Sequence, residues 1–201
     1  MSSERYLLSF TAASLTMSAS IQIAETYLQL RDWDAVKEKV KAENLIQART
    51  MSSLKRMYQE LAPRLYQLSD QQLELLVEGT LQEQKQLLWF AICKRYAYIR
   101  DFAVEVIHEK FLSLDHELTD LDYDAFYNRK VDWHPELDQI AKSTQQKMKT
   151  RIFWMLKEAG LTTEEGAIVP TMMSTRLMES LKSDPDGSLQ VFPIPPFDLP
   201  K

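Results

Sequence analysis

The chain has 201 residues, of which 45% are hydrophobic and 26% are charged, as expected for a globular protein with a sizeable core. Its four glycines argue against a fold rich in tight turns and against a phosphate-binding glycine loop. The net charge of −5 is concentrated in residues 67–141, which carry −8, whereas residues 1–66 and 142–201 carry +2 and +1, so the whole-chain charge is a poor guide to binding partners.

The amino-terminal segment from Tyr6 to Ala24 contains no charged residue. Seven of its residues are Ser, Thr or Gln, and its apolar runs are no longer than three residues. A membrane span needs about 20 mostly apolar residues, so we predict that this segment does not insert into a bilayer. The single cysteine, Cys93, excludes an internal disulfide and suits a reducing compartment. Together these features predict a cytoplasmic protein.

Apolar spacing and capping residues predict three helices in the first third of the chain, over residues 14–30, 33–42 and 51–62. Asp32 and Thr50 are typical N-caps for the second and third helices. Asn44 can end the second helix in a left-handed backbone conformation. Pro63 is expected to limit the third helix, because its ring clashes with the preceding turn.

Two capping boxes open the next helices, at Ser69 with Gln72 and at Thr80 with Glu83. We expect the first helix to end at Gly79 and the second to run to about residue 112, with Asp101 capping a restart. Within the second helix, Leu87–Cys93 is apolar at every position. A helix that is apolar on all sides is buried, so this stretch is predicted to be the central element of the core.

The acidic residues 114–133 are interpreted as a loop followed by one short helix. Pro135 suits the first turn of a long helix that Gly160 ends. Ile168 and Val169 are expected in a strand of a small hairpin or wing. Further along, the pattern predicts a helix over residues 175–182 that Ser174 caps. A turn at "DPDG", residues 184–187, and a last strand over residues 189–194 are expected to follow.

These elements predict a mainly α protein. Residues 1–68 would form a helix-turn-helix or winged-helix-like unit, although the connection between its second and third helices is longer than in the simplest such motifs. Residues 69–201 would form a helical unit with the small wing near the C-terminus. One continuous globular domain is the alternative to this division.

The third predicted helix has a polar face that could bind nucleic acid. On a helical wheel, Leu54 and Leu61 share one side, whereas Arg56 and Gln59 point the opposite way. Arginine and glutamine can contact base edges, and lysine and hydroxyl groups can hold phosphates at a helix start. An ordinary solvated face is the alternative. The candidate contacts on this helix are Arg49, Thr50, Ser52, Ser53, Lys55, Arg56 and Gln59.

A second basic stretch, "KSTQQKMKTRIFWMLK", covers Lys142–Lys157 and contains five basic and no acidic residues. Its charges do not fall on a single stripe of the wheel, and Phe153 and Trp154 interrupt the polar face. We favour a helix packed between other elements, with a basic and aromatic contact surface as the alternative. Its candidate nucleic-acid contacts are Lys142, Lys147, Lys149 and Arg151.

The patterns of common catalytic and metal sites fail on inspection. The stretch "DLDYDAFYNRKV" begins like a calcium-binding loop, but Ala125 replaces the required glycine and Val131 the required glutamate. Glu105 and His108 form one Glu-x-x-His pair, whereas a di-iron bundle uses two. We therefore predict no catalytic residue, no metal site, no cofactor and no enzymatic activity.

Three stretches resemble the BrxA family of bacterial BREX phage-defence systems: "WDAVKEKVKAENLIQARTMSSLKRMYQEL", "LVEGTLQEQKQLLWFAICKRYAYIRDFAVEVIHEKFLSL" and "DYDAFYNRKVDWHPELD". The resemblance extends from about Ser9 to "IVPTMMS", and the tail after Pro193 is not covered. It implies a small, mainly helical, non-enzymatic component that is encoded beside a methyltransferase, a large ATPase and a phosphatase-like protein. It also implies DNA binding through helix-turn-helix-like parts.

The helix face and the resemblance together predict a protein that binds double-stranded DNA with little sequence specificity. It would act as an adaptor for the methylation and exclusion partners of a BREX-type system. Two alternatives remain open. The protein could be an interaction scaffold of the defence complex that never contacts nucleic acid, or it could be a helical RNA-binding protein similar to antitermination factors.

Overall fold

A computed structural model describes residues 5–12, 14–185 and 189–195, and it is mainly α-helical, as predicted. Its α-helices are α1 Met17–Leu30, α2 Trp33–Glu43, α3 Met51–Leu65, α4 Asp70–Glu78, α5 Leu81–Arg95, α6 Ala97–Phe102, α7 Glu109–Leu112, α8 Asp120–Val131, α9 Pro135–Asp138, α10 Lys142–Glu158 and α11 Thr175–Lys182. A π-helical segment, Ala103–His108, joins α6 to α7. Short 3₁₀ turns occupy Ser9–Ala12 and Leu189–Val191.

The predicted helix starts are confirmed by their capping hydrogen bonds. Asp32 accepts from the backbone N–H of Asp34 at 2.8 Å, which caps α2. Capping boxes open α3, α4 and α5, and the Ser174 hydroxyl caps α11. Asn44 ends α2 with a left-handed φ of 47°. The first helix begins three residues later than predicted, at Met17, because Thr16 adopts a left-handed conformation.

The prediction that Pro63 limits α3 is wrong, since the helix continues to Leu65. A proline in a helix removes the hydrogen bond from its missing N–H to the carbonyl four residues earlier, and its ring crowds that turn, but the helix can continue at this cost. Leu61 and Leu65 on either side of it are fully buried, and the packing of this last turn outweighs the lost hydrogen bond.

Helix α5 is the central element of the core, as predicted, and every residue of Leu87–Cys93 is buried. The long helix predicted over residues 80–112 is interrupted at Tyr96, whose backbone is extended with φ −119° and ψ 95°. Asp101 does not cap a restart. It lies inside α6, where its carboxylate accepts hydrogen bonds from the Tyr6 hydroxyl at 2.5 Å and from Lys130 at 2.9 Å.

The single helix predicted from Pro135 to Gly160 is two helices, α9 and α10. The break follows from the carbonyl of Leu137, which a continuous helix would use to accept from residue 141. Here it accepts from the Tyr127 hydroxyl at 2.7 Å and from the backbone N–H of Ile140 at 3.1 Å. A tertiary contact from α8 therefore ends α9 and sets the direction of α10.

The C-terminal part contains less β structure than predicted. Two isolated antiparallel bridges, Glu117 with Ala167 and Thr162 with Ile168, are found there, so the hairpin or wing is not confirmed. The last strand predicted over residues 189–194 is wrong. This segment begins with a 3₁₀ turn, and the indole N–H of Trp89 donates to the Val191 carbonyl at 2.8 Å. The "DPDG" turn lies partly outside the described residues.

The buried apolar side chains form one cluster that runs from Tyr6 to Ile194. Helix α1 packs against α4 and α2, and α3 packs against α5. The division at residues 68 and 69 stays a prediction. Within the described part of the chain, no helix is both long enough and apolar enough to cross a membrane.

Candidate nucleic-acid interface

The face of α3 that was predicted to bind nucleic acid is turned to solvent. Leu54 and Leu61 are buried, whereas Arg56 and Gln59 are exposed on the opposite side. Arg49, Ser52 and Lys55 are exposed as well. Within the described part of the chain, no carboxylate forms an ion pair with the three cations of this face.

Thr50 and Ser53 serve the start of α3. The Ser53 hydroxyl donates to the Thr50 carbonyl at 2.8 Å, and the Thr50 hydroxyl donates to Ser53 Oγ at 3.0 Å. The Ser53 backbone N–H is also used, since it donates to Thr50 Oγ1 at 3.1 Å. Because both hydroxyl hydrogens are donated inside the capping box, these two residues stabilise the start of α3, and their contact with nucleic acid stays a prediction.

The connection between α2 and α3 has its own internal bracing. The backbone N–H of Ala48 donates to Oδ1 of Asn44 at 2.9 Å, and the side-chain amide of Asn44 donates back to the Ala48 carbonyl at 3.0 Å. Gln47 between them has a left-handed φ of 52°. The connection spans residues 44–50, which is longer than the tight turn of a simple helix-turn-helix motif. The helix-turn-helix geometry is therefore not confirmed.

Lys149 on α10 is not available to a ligand, and its prediction as a nucleic-acid contact is wrong. Its side chain is 9% exposed, and its ammonium group contacts Asp120 at 2.9 Å and Asp124 at 3.3 Å. Burial acts to lower the pKa of Lys149, but the hydrogen bonds that its ammonium group donates to these two carboxylates outweigh this effect and raise the pKa. Lys149 therefore joins α10 to α8 as an ion pair.

The opposite face of α10 carries two of the other cations, Lys147 and Arg151, in one stripe. Lys147, Arg151 and Trp154 follow each other at spacings of four and three, which places them on the same side of a helix. Trp154 is 56% exposed. Phe153 instead packs against the aromatic core, with its ring 6.3 Å from those of Phe102 and Tyr123. Only one of the two aromatic residues thus belongs to the polar face.

The third predicted helix and the second basic stretch, which are α3 and α10 in the structure, border one groove. It is called the α3–α10 groove below. Its volume is about 650 Å³, and the 3₁₀ turn Ser9–Ala12 contacts both helices. The described residues that line it include three cations and no carboxylate. The lining residues are Thr11, Arg56, Gln146, Lys147, Thr150, Arg151 and Trp154.

The groove joins some of the predicted contacts and leaves others outside. Arg56, Lys147 and Arg151 line it, whereas Arg49, Ser52, Lys55, Gln59 and Lys142 are exposed but are not among its lining residues. Sequence reasoning missed Thr11, Gln146, Thr150 and Trp154. The regular spacing from Lys147 to Trp154 was the available signal, but it could not show which face of α10 is buried.

The fold and the groove can now be compared with known proteins. The BrxA family model matches residues 4–184, which is most of the chain. This chain belongs to the BrxA family. The resemblance inferred from the three sequence stretches is therefore confirmed.

Relatives of this BrxA-family chain occur in distant bacteria. It is 29% identical over 138 residues to the BREX protein BrxA of Escherichia coli O9:H4 strain HS. The aligned residues cover 69% of this chain and 65% of that protein, so this chain spans just under two thirds of the length of that relative. It is 28% identical over 155 residues to the BREX protein BrxA of Bacillus cereus strain H3081.97, which covers 76% and 78%.

A crystal structure of an uncharacterized protein from Magnetospirillum magneticum has a similar fold. The two superpose with a TM-score of 0.77 at 21% identity, over 89% of this chain and 92% of the other. At this level of identity, the comparison shows a shared fold.

In this BrxA-family protein, a segment beside the turn Ser9–Ala12 fixes the two helices that border the groove. The guanidinium of Arg64 on α3 donates to the Ser14 carbonyl at 2.6 Å. The adjacent backbone N–H of Leu15 donates to Glu158, near the end of α10, at 2.9 Å. Arg64 is itself paired with buried Glu60 at 2.7 Å. Buried charge-assisted bonds of this kind have defined geometry, so they hold the groove in place.

Proposed function

We propose that this protein binds double-stranded DNA with little sequence specificity, through the α3–α10 groove and the exposed face of α3. One observation carries the proposal. Arg56, Lys147 and Arg151 come from two helices far apart in the sequence, and they line one groove without an ion-pair partner among the described residues. Keeping like charges together is unfavourable unless an anion neutralises them, and DNA supplies such anions as closely spaced phosphates.

The distribution of acidic residues supports the same surface. Residues 67–141 carry a net charge of −8, which would repel DNA if it faced the groove. Asp120 and Asp124 from this region bind Lys149 on the other side of α10. These two carboxylates and the groove cations Lys147 and Arg151 therefore lie on opposite sides of that helix.

Little sequence specificity is expected from this set of side chains. Lysine and arginine contacts to phosphates position DNA but do not distinguish bases. Gln59 and Arg56 are exposed α3 residues whose side chains can form bidentate hydrogen bonds to base edges. In this proposal, α3 takes the role of the recognition helix in a helix-turn-helix-like unit, and the bridged segment near Ile168 takes that of the wing.

Membership of the BrxA family makes the chain a component of a BREX phage-defence system, and the two named relatives are BREX proteins. We extend this to a non-enzymatic adaptor role in the bacterial cytoplasm. The protein would hold DNA for the other BREX proteins that modify or exclude phage DNA, which the resemblance identifies as a methyltransferase, an ATPase and a phosphatase-like component.

The proposal is tested by fluorescence-anisotropy titration of a blunt DNA duplex at several salt concentrations. We compare the wild type with Arg56→Gln/Arg151→Gln and with a control, Arg129→Gln/Lys182→Gln, which removes the same charge at exposed positions outside the groove. The groove variant should bind at least tenfold more weakly and should lower the salt slope by about two, roughly one for each lost phosphate contact.

Equal affinities of the two double variants would contradict the proposal, provided that circular dichroism shows both to be folded. A wild type that binds the duplex with no salt dependence would also contradict it, because phosphate contacts weaken with salt. A wild type that does not bind the duplex at all would favour a scaffold that contacts only proteins. Duplex RNA of the same sequence, tested in parallel, separates the proposal from the RNA-binding alternative.

A further inference from the structure

We infer that the α3–α10 groove accepts an unpaired nucleotide of the bound DNA, with its base stacked on Trp154 and its phosphate held by Arg56, Lys147 and Arg151. This inference rests on the proposed DNA binding and adds the form in which DNA enters the groove. The observation behind it is an exposed indole that lines the groove with three cations, none of which has an ion-pair partner in the part of the chain that the structure describes.

The side chain of Trp154 does not pack in the core. The buried face of α10 is formed by Met148, Ile152 and Met155, and Trp154 lies outside it with 56% of its surface exposed. Its neighbours in the groove are cationic or polar rather than apolar. A flat aromatic ring beside cations is the arrangement that binds single-stranded nucleic acid, since bases stack on the ring while the cations hold the backbone.

The size of the groove favours one nucleotide over a duplex. A volume of about 650 Å³ lies in the range typical of small-molecule sites, so it can take a base with its sugar and phosphate. A DNA duplex is much too wide to enter. The duplex would therefore lie across the mouth of the groove, against exposed Arg49 and Lys55, while an unpaired nucleotide reaches Trp154.

The polar lining is suited to any base rather than to one. The Gln146 side chain carries both a donor and an acceptor, so it can pair with the edge of each base. The Thr150 hydroxyl donates its hydrogen to the Gln146 backbone carbonyl at 2.9 Å, so Gln146 rather than Thr150 is the expected donor to a base. Stacking on an indole is likewise tolerant of sequence, because every base has a π face. The groove should therefore sense the absence of pairing rather than the identity of the base.

The test compares three DNA probes that share the same duplex: a blunt form, a form with a short single-stranded thymidine extension, and a form with the same extension built from abasic units. The two extensions carry identical phosphates and differ only in the bases. The wild type should bind the thymidine form about five- to a hundredfold more tightly than the abasic form, as expected for the stacking of one base.

Trp154→Ala should remove this difference, so that the variant binds the thymidine and abasic forms equally, and Trp154→Phe should keep part of it. Trp133→Ala is the matched control, because Trp133 is 76% exposed but does not line the groove. It should keep the full difference. A probe with an unpaired thymidine inside the duplex shows whether the nucleotide comes from a strand end or is extruded.

Equal binding of the thymidine and abasic forms by the wild type would overturn the inference, as would a preference that survives Trp154→Ala. If blunt-duplex binding still depended on Arg56 and Arg151 in that case, the proposed function would stand without the nucleotide site. If those arginines had no effect on any probe, the proposed function itself would fail. A preference for the extension, or for the internal unpaired thymidine, supports the inference and identifies the source of the nucleotide.

Discussion

Lys147 and Lys149 lie two positions apart on α10, yet Lys147 lines the α3–α10 groove while Lys149 is buried in an ion pair with Asp120 and Asp124. The two residues have the same side chain and opposite surroundings. Their neutral variants should therefore separate DNA binding from folding.

Lys147→Gln should weaken DNA binding and lower the salt slope by about one, with a change in the free energy of unfolding within about 0.5 kcal/mol. Lys149→Gln should reduce the free energy of unfolding by about 1 kcal/mol, because it breaks a charge-assisted contact whose carboxylates are themselves partly exposed. Its salt slope should stay at the wild-type value. Urea denaturation and anisotropy titration of both variants check this, and the reverse pattern would show that α10 is oriented the other way.

The buried pair of Glu60 and Arg64 should make a large contribution to stability. Glu60 also accepts from the Tyr96 hydroxyl at 2.8 Å, so both charges are compensated inside the protein. Arg64→Met should lower the free energy of unfolding by about 3–5 kcal/mol, because the carboxylate of Glu60 stays buried without its cation.

The double variant Glu60→Gln/Arg64→Met is the control for this prediction, since it leaves no unpaired buried charge. It should lose less stability than Arg64→Met alone, as urea denaturation will measure. If the double variant were the less stable of the two, then packing rather than charge pairing would explain the role of Arg64.

Thr50 and Ser52 are two hydroxyl residues at the start of α3 with different expected roles. Thr50→Ala removes the N-cap acceptor and should lower the free energy of unfolding by about 1 kcal/mol. Ser52 is exposed on the candidate surface, so Ser52→Ala should leave thermal stability unchanged and weaken DNA binding slightly. Calorimetry and anisotropy titration together test the assignment, which would be wrong if Ser52→Ala proved the more destabilising change.

Glu83 should make stability depend on acidic pH. Two hydrogen bonds from Arg176, at 2.5 and 2.7 Å, hold the pKa of this carboxyl far below its usual range. Burial opposes this effect, and bonds from Ser174 and Thr80 lower the pKa further. The stabilisation is fully present above the unfolded-state pKa of about 4.3, and it is lost as pH falls toward the lower folded-state value.

Glu83→Gln should therefore be less stable than the wild type at neutral pH, by about 2 kcal/mol. The difference should stay constant down to about pH 5 and then narrow, because the Glu83 carboxylate of the unfolded wild type takes up a proton while that of the folded protein stays ionised. Urea denaturation at a series of pH values measures it. A difference that widened in acid would mean that the folded state raises the pKa of Glu83 instead.

Much of the helical framework could be predicted because its signals are local. The caps at Asp32, Ser69 and Thr80 act through hydrogen bonds that span two or three residues, so a short stretch of sequence contains both partners. The burial of Leu87–Cys93 was equally visible, because a helix without a polar side has no face to turn to water.

The breaks in the long helices could not be predicted in the same way. Helix α5 ends at Tyr96, whose hydroxyl donates to Glu60 on α3. Helix α9 ends near Leu137, whose carbonyl accepts from Tyr127 on α8. The strand predicted over residues 189–194 failed for a related reason. The backbone carbonyls of Val191 and Phe192 contact Trp89 of α5 and His108 of the π-helical segment. These contacts, rather than pairing with a neighbouring strand, determine the conformation of the segment.

By itself, the sequence determined that the chain is helical, where most helices begin, and which side of α3 faces solvent, because these depend on residues within a few turns of one another. Only the tertiary structure decided that Lys147 and Arg151, rather than Lys149, meet Arg56 in one groove. The physical reason is that a lysine side chain is neutralised by whichever carboxylate the fold brings to it, and for Lys149 these carboxylates, Asp120 and Asp124, come from another helix.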